Sequence, residues 1–112
     1  MLSLSRHVEI TNPLGLHLRL ADRFVRLAHR FQAEIRVSRD GHTVNGKSIL
    51  DLATLAAACG TRLELEARGD DAEQALAALC ELIAAGFDEA DERRGWRPAP
   101  APGTPIPQPV GR

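Results

Sequence analysis

In Gly-Leu-His-Leu-Arg-Leu-Ala-Asp, residues 15–22, His17 and Arg19 stand two apart, just after Pro13 and Gly15 and just before a strongly apolar stretch. Proline and glycine break a strand, and the apolar stretch begins a helix, so the pair falls at a loop-to-helix junction. Unsatisfied backbone N–H groups and the positive end of the helix dipole gather there, which makes the junction an anion site. A positive field of that kind disfavours imidazolium and leaves a nucleophilic ring nitrogen. A neutral imidazole beside a guanidinium and helix amides can accept a phosphoryl group and hold it by electrostatics, as a relay rather than an end product. The plainer alternative is an exposed histidine acting as an imperfect N-cap. It leaves Arg19 unexplained, because cations belong at helix C-termini, and a cation at the opposite end makes sense when an anion visits.

The elements that must position this pair follow from periodicity. Leu2, Leu4, Val8 and Ile10 alternate with mostly polar residues, predicting a strand with one wet face. Leu20, Ala21, Phe24, Val25, Leu27, Ala28 and Phe31 recur at helical spacing and predict an amphipathic helix over 18–30. Ala33, Ile35 and Val37 predict a second strand, Asp40-Gly41 a hairpin turn, and the run through Val44 a third strand. Residues 49–60 read as a short apolar helix stopped by Gly60. Leu63, Leu65 and Ala67 face one way in the clearest strand. The last helix is expected to begin with a capping box, Asp70 and Glu73, and to bury Ala72, Leu76, Leu79, Cys80 and Ile83. The order is βαββαβα. One-faced strands and one-striped helices imply an α+β fold with a single antiparallel sheet covered on one side.

Composition sets the limits. A chain of 112 residues, 44% hydrophobic and 26% charged, is one soluble domain. Its formal net charge is −1 with both signs interspersed, so nucleic acid is not an expected partner. No apolar run nears the roughly 18 residues of a membrane helix, and the start of the chain lacks a secretory h-region. Cys59 and Cys80 lie in apolar surroundings without metal or redox spacing and are expected to be buried thiols in a reducing cytoplasm. Six of the seven prolines fall in residues 97–112, predicting a disordered or polyproline II tail, with Trp96 at its border. The domain is therefore placed at 1–94 and the tail at 95–112.

The stretch from Asn12 to Val25 resembles the active-site segment of HPr, the histidine-containing phosphocarrier protein of the bacterial phosphoenolpyruvate-dependent sugar phosphotransferase system, whose pattern is close to G-L-H-x-R-P-A. The similarity runs from residue 5 to about 88. It implies an open-faced sandwich, a four-stranded antiparallel sheet with three helices on one face. It implies that His17 takes the phosphoryl group on Nδ1 from phospho-enzyme I, that Arg19 stabilises it, and that enzyme IIA domains accept it. No cofactor or metal is called for, and a cytoplasmic monomer is expected. A second matching stretch, Val44 to Leu55, places Ser48 where some family members are phosphorylated by an ATP-dependent HPr kinase/phosphorylase. Ser48 with Asp51 three residues on is also an ordinary helix N-cap. Partner docking in the family implies an apolar patch of Leu18, Ile49, Leu50 and Ala53, ringed by basic residues such as Arg26.

Two positions depart from the pattern. Leu20 stands where the family usually has proline, which should loosen the first helical turn slightly. Asp22 replaces a small residue one turn beyond His17; it can repel an incoming phosphoryl donor or tether Arg19 or Arg26. His7, His29 and His42 read as surface residues without metal-ligand spacing. Two other functions fit less of the sequence. One is a regulatory protein of the same fold in which Ser48 phosphorylation is the signal. The other is a small acylphosphatase-like enzyme with Arg19 at an anion site.

Overall fold

Alternating runs build the sheet and striped runs cover it. The computed structural model describes residues 3–88; Leu2, Trp96 and the proline-rich tail lie outside them. In order the chain forms β1 (Ser3–Glu9), α1 (Leu18–Ala28), β2 (Glu34–Arg39), β3 (His42–Asn45), α2 (Ile49–Ala53), β4 (Arg62–Arg68) and α3 (Ala72–Ala84), followed by a short 3-10 segment, Gly86–Asp88. The sheet order is β1-β4-β2-β3 and every pairing is antiparallel. The expected α+β open-faced sandwich is the fold observed.

Register puts the apolar positions on one face. Leu4 and Val8 stand opposite Ala67 and Leu63, and Val37 lies between Leu65 and Val44. Against that face pack Leu20, Ala21, Phe24, Val25 and Ala28 of α1 and Ala72, Ala75, Leu76, Leu79 and Ile83 of α3. The opposite face carries His7, Glu34, Arg36, Glu64 and Arg68, all exposed. The β2–β3 turn has both Asp40 and Gly41 at positive φ, 50° and 85°, as a two-residue hairpin of the primed type requires.

Three expectations need correction. The second helix does not run to Gly60 but ends at Ala53. Thr54 Oγ1 donates back to the Asp51 carbonyl at 2.6 Å, and Ala56 turns left-handed at φ 48°. The Arg39 guanidinium donates to the Leu55 and Ala56 carbonyls, so tertiary partners satisfy groups that a continuing helix would have paired internally. At α3 the N-cap is Asp71, not Asp70, and no side-chain cap forms. The Asp71 carboxylate instead accepts the Gln32 and Ala33 amides, each at 2.8 Å, tying the start of α3 to the entry of β2. The Gln32 amide is the leading cause that holds this carboxyl below its ordinary pKa, with help from Ala33. Finally, Cys59 is exposed and Cys80 is half-buried. Cys59 sits after α2 has already ended, where its thiol meets the Thr11 carbonyl at 3.7 Å. Burial pushes the Cys80 thiol pKa up.

Candidate phosphoryl site

The loop between β1 and α1 is held from three sides. Ile10 is buried and exchanges backbone hydrogen bonds with Thr61 and Gly60. Asn12, only 6% exposed, donates Nδ2 to the Gly86 carbonyl at 2.8 Å, while its own carbonyl takes the Gly15 amide at 2.9 Å. The Leu16 amide then donates to the Ala57 carbonyl at 2.8 Å. Gly15 stands at φ 75°, and a Cβ there would lie 2.5 Å from the Ala57 oxygen and 2.9 Å from the Ala58 Cα. Only glycine satisfies both the turn and the close approach.

This loop delivers His17 as the N-cap of α1, extended at φ −84°, ψ 177°, with its carbonyl accepting the Ala21 amide at 2.9 Å. The His17 side chain makes no capping hydrogen bond, and the first turn carries no acidic residue. His17 is half-buried and Arg19, in that turn, is exposed. Leu20 is fully buried, so the residue standing where the family has proline is a core residue here. The far side of α1 is anchored by Arg23, whose guanidinium donates to the Phe87 carbonyl.

Ser48 is the N-cap of α2, its Oγ accepting the Asp51 amide at 3.2 Å. Asp51 in turn accepts the Asn45 amide at 3.3 Å. Lys47 is tied down by its Nζ on the Phe31 carbonyl at 2.7 Å, and His29 Nε2 donates to the Lys47 carbonyl at 3.2 Å. The C-terminal end of α1 and the start of α2 are thereby joined.

Leu18 and Leu50 are 62% and 77% exposed, Ala53 is exposed, and Ile49 is half-buried against the core. Arg26 is exposed and pairs with Asp22, Nε to Oδ2 at 2.9 Å. Of the two tethers open to Asp22, this is the pair described. His7 and His42 are exposed, and among the described residues no cluster of His, Cys, Asp or Glu could hold a metal ion.

The family described as "PTS HPr component phosphorylation site" matches residues 4–85. The chain belongs to the HPr family. Phosphocarrier protein HPr of Neisseria meningitidis serogroup A is 44% identical over 88 residues, 79% of this chain and 99% of that protein. Phosphocarrier protein NPr of Shewanella violacea is 41% identical over 90 residues, 80% of this chain and 99% of that one. The crystal structure of HPr-C-His from Thermoanaerobacter tengcongensis superposes with a TM-score of 0.73 at 40% identity, covering 75% of this chain and 94% of that chain. The relatives named here are HPr- and NPr-type phosphocarriers. No described helix is long and apolar enough to cross a membrane.

Two residues of this HPr-type site carry more than their sequence setting announced. Asn12 is a buried polar strut between the loop and the end of α3; its only signal was its place before proline, which marks a turn. Leu14, 80% exposed in the same loop, is, among the described residues, the third large exposed apolar side chain beside Leu18 and Leu50. An apolar residue between Pro13 and Gly15 was its signal.

Proposed function

We propose that His17 is the phosphoryl acceptor and that the protein carries the group from phospho-enzyme I to an enzyme IIA-type acceptor in the cytoplasm, the carrier domain being residues 1–94. What supports this most is the placement of His17 at the N-cap of α1 with Arg19 in the first turn. In the transfer, the Nδ1 lone pair of a neutral ring bonds to phosphorus as the bond from phosphorus to the donor's leaving atom breaks. The leaving atom keeps that electron pair, and the ring's Nε2 proton passes to it or to water. The phosphoryl oxygens then face the Arg19 guanidinium and the amides of the first turn, which favour the dianion without reorganising. Onward transfer runs the same exchange with the acceptor's nucleophile.

Leu18, Ile49, Leu50 and Ala53 form the apolar floor on which donor and acceptor dock, with Arg26 at its rim. Leu18 and Leu50 stand in water in the free protein, and covering them on docking would contribute favourably. Ser48 is the regulatory position for an HPr kinase/phosphorylase: a phosphate there meets the start of α2 and adds negative charge to the docking face.

The test is phosphoenolpyruvate with enzyme I, read by intact mass. One acid-labile phosphoryl adduct that is absent in His17→Ala supports the carrier. An acid-stable adduct that requires ATP, an HPr kinase and Ser48, with none at His17, replaces it with the regulator.

A further inference from the structure

Away from the phosphoryl site, α1 and α3 leave a groove of about 490 Å³ between them. Its floor is apolar, Leu27 from α1 with Ala78 and Leu82 from α3, all half-buried rather than closed over. Its rim is acidic, with Glu81 and Asp88 both exposed. Asp88 is also the last described residue, so the remaining chain, residues 89–112, departs from the edge of the groove itself. The first large apolar residue of that segment, and the protein's only tryptophan, is Trp96, eight positions beyond Asp88. An extended stretch of that length reaches roughly 27 Å, enough to turn back onto α1 and α3. Arg93, Arg94 and Arg97 stand close around Trp96, the opposite sign to the rim, while Glu89, Asp91 and Glu92 lie on the stretch that leads to them.

We infer that the α1–α3 groove is the seat of Trp96, its indole on Leu27 and Leu82 and its neighbouring arginines on Glu81 and Asp88. Among candidate occupants, this segment alone is delivered to the groove by covalent connection, at high effective concentration, with matching charge. Such docking also bears on the phosphoryl loop. The turn that precedes the segment gives its Gly86 carbonyl to Asn12 and its Phe87 carbonyl to Arg23, so a seated Trp96 would hold that turn from its outer side.

With one tryptophan, the fluorescence of the full-length chain reports the seat directly. The folded protein is expected to emit to the blue of its urea-unfolded form and to resist acrylamide. Ala78→Lys, which fills the groove, should return the emission to the unfolded position with the far-ultraviolet circular dichroism unchanged. Glu81→Arg, an exposed charge reversal that leaves the core alone, should shift emission to the red and raise quenching. Folded protein that emits like the unfolded chain overturns the inference, as does blue emission that survives both substitutions. Blue emission lost on dilution also overturns it, because the occupant would then be a second copy.

Discussion

Two helix N-termini in this protein meet the same electrostatic problem in opposite ways. At α2 the Ser48 hydroxyl accepts the Asp51 amide and Asp51 supplies an acid in the first turn, so the positive end of the helix is answered from within the chain. At α1 the N-cap is His17, whose side chain does not cap, and the first turn holds Arg19 and no acid. The α2 terminus is capped as helix starts ordinarily are. On the proposed reading, the α1 terminus keeps its positive end for a visiting anion. The helix start proposed to carry function is the one that breaks the capping rules its neighbour obeys.

The sharpest way to break this comparison is at His17. His17→Ala should eliminate the acid-labile phosphoryl adduct while leaving the thermal midpoint within a degree or two of the parent, read by intact mass and calorimetry. A large loss of stability would make His17 a structural cap. Next in size is Gly15→Ala, which forces a Cβ into the Ala57 carbonyl at positive φ. A cost of about 2 kcal/mol in urea unfolding is expected, with slower phosphorylation because His17 is misplaced. Ser48→Ala should cost about 1 kcal/mol by the same measurement while sparing phosphorylation of His17, the reverse of the His17 result. Asp22→Asn removes an exposed ion pair with Arg26 and should change stability by less than about 0.5 kcal/mol. Its effect is expected in the salt dependence of transfer from phospho-enzyme I, since Arg26 loses its internal partner.

The third helix start adds a contrast visible only in acid. The folded-state pKa of Asp71 is depressed below its ordinary 3.8 by the Gln32 and Ala33 amides. Its contribution is therefore present above the unfolded pKa and lost as pH falls through the folded one. The parent's stability advantage over Asp71→Asn should shrink from about pH 5 downward, as followed by urea unfolding across that range.

The sequence was most readable where a pattern is local and repeats. The alternation of Leu63, Leu65 and Ala67 and the stripe from Leu20 to Ala28 needed no partner to be recognised, because burial of one face imposes the period. Asp40-Gly41 was legible for a similar reason, since few residue pairs accept positive φ together. Periodicity failed at α2, where apolar spacing continues through Leu55 and Ala57 but the helix stops at Ala53. Those two residues are buried from a loop, and the carbonyls they flank serve Arg39 and Leu16. The capping box at Asp70 and Glu73 failed because Asp71 had better donors 38 and 39 positions away.

The sequence by itself determined the element order, the inward faces and the presence of His17 and Arg19 at a helix start. All of these depend on neighbours within a few positions along the chain. Tertiary structure alone decided where α2 ends, which acid begins α3, that Arg26 is paired with Asp22 rather than left to a partner, and that Asn12 braces the β1–α1 loop against Gly86. Each of those outcomes is a competition among hydrogen-bond donors, acceptors and charges that only folding brings within reach. Their strength lies in geometry, which a residue's type and position in the chain do not record.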